Sequence, residues 1–258
     1  MTRGVELIFL RAGIAILAAA AGGVIGVVWR KSSHKTLCGL VSFAAGALLS
    51  VTMVHIVPEA AEIVGWAAAV ATTVGGAAVF YLIGQYVYYV CPACAASATE
   101  EQSGYLRLGV LLMVALAIHS TIDGLAIAAG WETAPLVAYL VLFAVSYHKI
   151  PEGLALVSVA RLAGFSRAKA LAMTILIELT TGLGAFVGIF ALEALPKRWL
   201  GITLGIVGGS FLYVVGFALV REMMEHERRS IFAYLILGFV TILLIGFVLE
   251  SAGIGHAH

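Results

Sequence analysis

Apolar stretches long enough to cross a bilayer recur almost end to end in this 258-residue chain, and they fix the class of fold before any motif is read. Hydrophobic residues make up 62% of the sequence and charged residues 11%, against about 25% charged in an ordinary soluble domain. No soluble fold of this length could bury so much apolar surface, whereas a bilayer calls for helices of roughly 20 such residues. Glycine and polar breaks divide the chain into eight segments, roughly 6–29, 37–57, 65–90, 105–130, 134–160, 168–195, 199–220 and 230–253. The expected fold class is an all-α polytopic membrane protein with eight transmembrane helices. The longest loop, roughly 91–104, leaves no room for a soluble domain. Residues 1–258 therefore read as a single integral-membrane domain.

Lysine and arginine orient it. The loops after the first, third, fifth and seventh segments carry Arg30, Lys31, Lys35, Arg107, Arg161, Arg167, Lys169, Arg221, Arg228 and Arg229. The other side carries Arg3, Arg11, Lys197 and Arg198. By the positive-inside rule both termini lie outside the cytoplasm, and an inner or plasma membrane is the expected location. The first segment shows no small-residue cleavage site and reads as a retained helix rather than a signal peptide. A net charge of +1 carries no nucleic-acid footprint. Three cysteines, Cys38, Cys91 and Cys94, make no disulfide framework, and the lone Cys91-Pro-Ala-Cys94 motif reads as a thiol pair ending a helix.

The chemistry is concentrated in a phrase written twice, 29 positions apart: His119-Ser-Thr-Ile-Asp123-Gly and His148-Lys-Ile-Pro-Glu152-Gly. Residues four apart share one face of a helix, so two such helices side by side offer two imidazoles and two carboxylates to one point. A charged side chain at a helix centre costs from about 3 to more than 10 kcal/mol in lipid. His119, Asp123, His148, Lys149, Glu152 and Glu178 all lie inside predicted spans, so they must converge, pair or line a wet cavity. Nitrogen with oxygen suits zinc and other borderline first-row cations, while magnesium and calcium prefer oxygen alone. Without thiolate the set favours turnover over permanent capture. Pro151 leaves the carbonyl of Tyr147 without its helical donor, and Gly124 and Gly153 let a neighbouring backbone come close.

Two further sets flank this one. His55, Glu59 and Glu62, at the outer end of the second segment, repeat the four-residue spacing and read as an entrance that gathers cations, with Pro58 expected to help stop that helix. Glu225, His226 and Glu227, in a cytoplasmic loop, could receive departing metal, although a solvated charge run has the same composition. His256 and His258 read as disordered.

At these residues the chain resembles the ZIP metal-ion transporters. The HxxxDG phrase, the HKIPEG phrase and Val54-His55-Ile-Val-Pro58-Glu59-Ala, similar to that family's VHLLPEA, carry the resemblance, which extends over all eight segments. It implies an inverted-repeat bundle, a homodimer, both termini outside, and uptake of zinc or a similar cation (Fe2+, Mn2+, Cd2+, Co2+) by an elevator-like motion. The ion is cargo, and no cofactor is expected. It further implies that His119, Asp123, His148 and Glu152 are metal ligands, and that Glu178 is the acid placed ahead of a glycine, here Gly182. Members with two adjacent metal sites carry an asparagine and an acid where this chain has Ser120 and Lys149, and many carry proline where it has Ile122. A lysine ammonium donates hydrogen bonds and does not ligate. The expectation is a single-metal site with Lys149 filling the second position and pairing with Glu178; a proton-moving Lys149 is the competing reading. The alternatives to a metal carrier are a proton-linked carrier and an intramembrane metal-dependent hydrolase. Against the hydrolase, the chain has no HExxH.

Overall fold

The computed structural model describes residues 2–28, 34–86, 102–225 and 228–254. In lipid no water satisfies backbone polar groups, so each crossing segment closes its own hydrogen bonds as a helix. The helices are α1 (Thr2–Val28), α2 (His34–Val51, carried on by Thr52–Ile56 and Val57–Val64), α3 (Trp66–Tyr86), α4 (Gln102–Trp131), α5 (Pro135–Leu162), α6 (Arg167–Ala194), α7 (Lys197–Glu225) and α8 (Arg228–Ser251). Each contains a stretch long and apolar enough to span a membrane. Local chemistry sets several ends: Pro135 begins α5 after an extended Ala134, and the Ser166 hydroxyl caps α6 by accepting from Lys169 N–H at 3.3 Å.

The second segment differs from expectation. Pro58 does not help stop it; the helix passes the proline and runs to Val64. Pro58 has no N–H to give the carbonyl of Val54. The chain absorbs the gap by widening into a π turn over Thr52–Ile56, where Val57 N–H bonds the carbonyl of Thr52. The stop comes at Gly65, with φ 82, a left-handed conformation that glycine adopts without steric penalty.

The most extensive packing places α1 on α5, α4 on α6, α2 on α8 and α3 on α7. Exchanging α1–α3 with α6–α8, and α4 with α5, maps this set of pairs onto itself. Successive crossings alternate in direction, so every exchanged pair runs oppositely through the bilayer, which is the signature of an inverted repeat.

Glycine enforces the same pattern. A Cβ at Gly22 or Gly153 would strike the carbonyl of Ile150 or Ala19, joining α1 to α5. At Gly184 or Gly124 it would strike Thr121 or Thr181, joining α6 to α4. The pairs Gly46 with Gly238 (α2 and α8) and Gly209 with Gly76 (α7 and α3) repeat the device against Leu235, Phe43, Thr73 and Ile206. Without a hydrophobic driving force between helices in lipid, association relies on close van der Waals packing of this kind together with interhelical hydrogen bonds and lipid entropy. None of these eight contacts crosses from the set α1, α4, α5, α6 to the set α2, α3, α7, α8. Where the sets meet, side chains such as Leu48, Val51, Leu140, Ala144 and Phe211 form the shared core.

Arg11 is buried in α1 with its guanidinium 4.6 Å from the Trp131 ring centroid and 4.7 Å from that of Tyr139. Such cation–π contacts are strongest when desolvated, and here they clip α1 to the ends of the two helices that carry the repeated phrase.

Candidate metal centre

On α4 and α5 the four-residue spacing does what helical geometry requires. His119, Asp123, His148 and Glu152 each offer one ligand atom, and these atoms lie within 4.8 Å of one another. Among the described residues this is the group of metal-ligating side chains that converges in this way, and all four are buried. Asp123 Oδ2 lies 3.2 Å from His148 Nε2 and 3.7 Å from His119 Nε2, while Glu152 Oε2 lies 3.8 Å from His148 Nε2. The glycine contacts hold the helices at this separation: Gly124 and Gly153, each directly after an acid of the cluster, seat α4 on α6 and α5 on α1.

The hydrogen bonds suit a cation. His148 Nδ1 lies 3.0 Å from the carbonyl of Ala144, one turn back on α5. A carbonyl only accepts, so that contact puts a proton on Nδ1 and leaves Nε2 facing Asp123 Oδ2, a donor to the carboxylate when the ring is protonated and a free ligand nitrogen when it is neutral. A divalent cation between Nε2 and the carboxylate would take the place of that proton, since an imidazole must give up its proton to ligate. Asp123 Oδ1 and His119 Nδ1 are buried without a hydrogen-bond partner, so the cluster keeps polar atoms unpaired where burial makes them costly.

Lys149 supplies a positive charge beside the cluster. Its Nζ lies 2.9 Å from Asp123 Oδ2, 2.9 Å from Glu152 Oε2 and 2.9 Å from Glu178 Oε2 on α6, and donates to Ser120 Oγ at 2.6 Å. The Ser120 hydroxyl is 3.1 Å from Glu152 Oε1 and 3.4 Å from Glu178 Oε2. Lys149, Ser120, Asp123 and Glu178 are all fully buried. The three carboxylates and one ammonium carry a formal charge of −2, which a single divalent cation neutralises.

The other set contributes an aromatic wall. Phe211 of α7, fully buried, stands edge-on to both imidazoles, with centroids 6.5 Å from His119 and 6.3 Å from His148. Sequence reasoning missed it, since a phenylalanine in an apolar segment carries no signal of what it faces. It also missed Glu250 of α8, the acidic neighbour of His55. His55 and Glu59 are half-buried and Glu62 is exposed; His55 lies within the π turn of α2, Glu59 and Glu62 follow it, and none of the three belongs to the four-residue cluster. Glu225 is the last residue of α7. His226, Glu227, Cys91, Cys94, His256 and His258 lie outside the described residues.

An eight-helix membrane bundle enclosing a buried group of two imidazoles and two carboxylates defines an integral membrane protein equipped for a divalent cation. The family model described as ZIP Zinc transporter matches residues 94–246, more than half of the chain, and the chain belongs to that family. It is 28% identical over 249 residues to a protein named zinc transporter ZupT from Corynebacterium efficiens, covering 90% of this chain and 93% of that one. The ZupT of Corynebacterium glutamicum is likewise 28% identical over 249 residues, covering 90% and 95%. A protein named zinc transporter ZIP13 from Pongo abelii is 26% identical over 230 residues, covering 82% of this chain and 67% of that protein. Family and site together support transport of divalent metal, with zinc as the fitting substrate.

Proposed function

We propose that this chain takes up zinc, and related divalent cations, into the cytoplasm as an alternating-access carrier. The single observation that carries the reading is the buried cluster of His119, Asp123, His148 and Glu152, whose ligand atoms lie within 4.8 Å of one another, in a family whose model is named for zinc transport. These four are the proposed ligands. Lys149 occupies the place of a second ion, so the reading is one cation per site, with Ser120 and Glu178 holding the ammonium. His55, Glu59 and Glu62 are the proposed entrance, and Glu225, His226 and Glu227 the proposed exit.

The mechanism follows from holding an ion in hydrocarbon. Ligands that replace a hydration shell also oppose release, so the site must open to each side in turn. Eight backbone-to-glycine contacts lie within the α1, α4, α5, α6 set or within the α2, α3, α7, α8 set, and the meeting of the sets is left to side chains. That division supports an elevator-like motion in which the first set carries the ion past the second. Phe211 is then the stationary group that the imidazoles leave. The lysine and arginine asymmetry supports both termini outside the cytoplasm. Residues 1–258 act in this reading as one transporter domain in the cell membrane. A homodimer is supported by Ala67, Ala71 and Gly75, small residues four apart on an exposed face of α3. The relatives are named as transporters, which supports a carrier rather than an enzyme.

The test is uptake of radiolabelled zinc by proteoliposomes holding the purified chain, with unlabelled Cd2+, Fe2+, Mn2+, Co2+ and Mg2+ as competitors. Saturable zinc uptake, inhibited by cadmium or cobalt and not by magnesium, is expected. Flux equal to that of protein-free vesicles, from folded protein, would sink the reading, and proton flux without metal would replace it by a proton carrier.

A further inference from the structure

Lys149 draws on the same oxygens that the transported ion needs. Its ammonium sits 2.9 Å from Asp123 Oδ2 and 2.9 Å from Glu152 Oε2, and those are the oxygens that face His148 Nε2 at 3.2 and 3.8 Å. An ammonium has three protons, yet four oxygens surround this one. The surplus is visible: Glu152 Oε2, although close, lies outside hydrogen-bonding geometry. On the far side of the ammonium stand Ser120 Oγ at 2.6 Å and Glu178 Oε2 at 2.9 Å, and Glu178 Oε1 is buried with no partner.

We infer that Lys149 is a tethered competitor of the transported ion: it holds the ligand carboxylates while the site is empty, yields them to the arriving ion, and speeds that ion's departure. This rests on the metal-carrier reading above and adds to it a rule for release. When the ion takes Asp123 Oδ2 and Glu152 Oε2, the ammonium keeps Ser120 Oγ and Glu178 Oε2 and has Glu178 Oε1 as a third acceptor. Its three protons remain satisfied and a short swing of the side chain suffices. The displaced charge stays a few ångströms from the ion, where repulsion is poorly screened, and waits to retake the oxygens. Lysine suits this role because its ammonium is a compact charge on a flexible stem, whereas a guanidinium would commit to one planar geometry. No change in the protonation of Lys149 is needed. The lysine also spares the empty site the cost of three adjacent carboxylates, so the carrier can return unloaded without an ion to hold it together.

The experiment compares the wild type with Lys149→Met and with Lys149→Met/Glu178→Gln, using zinc titration calorimetry on the full chain in detergent and zinc flux in proteoliposomes. The double variant keeps the formal charge of the site at −2, so it separates the loss of a competitor from a mere change in net charge, and it avoids leaving three carboxylates unpaired if the single variant fails to fold. Zinc Kd is expected to tighten by about tenfold or more in the double variant, with stoichiometry still one, and both KM and maximal flux to fall as release slows. An unchanged or weaker Kd in the folded double variant, with KM and maximal flux unaltered, would overturn the inference and leave Lys149 as structural glue. If the wild type itself binds and carries no zinc, the metal-carrier reading fails, and the inference falls with it.

Discussion

Zinc uptake by His148→Ala is expected to fall to the level of protein-free vesicles while the protein keeps its helical content and its elution position. Among the four proposed ligands His148 is the best prepared to bind, because the Ala144 carbonyl fixes a proton on Nδ1 and leaves Nε2 for the ion, beside the shared Asp123 oxygen. Outer-shell partners of a metal are already worth about 10–100-fold in affinity, so removing a ligand outright should cost at least about 100-fold. The fold should survive, because His148 contributes no glycine contact and its ring lies beside the wall made by Phe211, where alanine leaves a cavity and no clash. Folded variant that transports within about twofold of wild type would remove His148 from the ion's path and with it the four-residue site.

The second large effect concerns the glycines. Gly184→Val would drive a side chain into the carbonyl of Thr121, and because that carbonyl is held by its own helix, relief requires α4 and α6 to move apart. Overpacking costs about 1–3 kcal/mol where side chains can adjust, and backbone against backbone should cost more. Thr121 lies between His119 and Asp123 on α4, so pushing α6 away also disturbs the site. Gly238→Val makes the same collision with the carbonyl of Phe43, in the other helix set and on helices that carry none of the four proposed ligands. Thermal unfolding in detergent should show both variants strongly destabilised, with zinc affinity of the folded fraction reduced in Gly184→Val and retained in Gly238→Val. Equal loss of affinity in both would mean that the two helix sets are not separable units.

What the sequence made legible is what is local or repeated. The number of helices follows from apolar segments against bilayer thickness, and the pairing of each imidazole with a carboxylate follows from a four-residue spacing. That α4 and α5 share a site follows from one phrase written in both. Helix partnering is another matter, because α1 meets α5 and α4 meets α6 through glycines whose partners are bare carbonyls of distant segments; no residue type marks a carbonyl. Phe211 and Glu250 are hidden for the same reason, each being an ordinary residue made relevant by a neighbour far away in the chain. Pro58 misleads in its own way. Its missing N–H predicts a stop, yet a π turn upstream lets the helix pass it and continue to Val64.

If one cation sits between α4 and α5 on two imidazoles and two carboxylates, zinc X-ray absorption on the full chain loaded with one equivalent of zinc will read that shell directly. A first shell of about four nitrogen and oxygen atoms near 2.0–2.1 Å is expected, with outer-shell scattering from two imidazoles that halves in His148→Ala. A sulfur contribution near 2.3 Å, or an oxygen shell without imidazole scattering, would contradict the four-residue site.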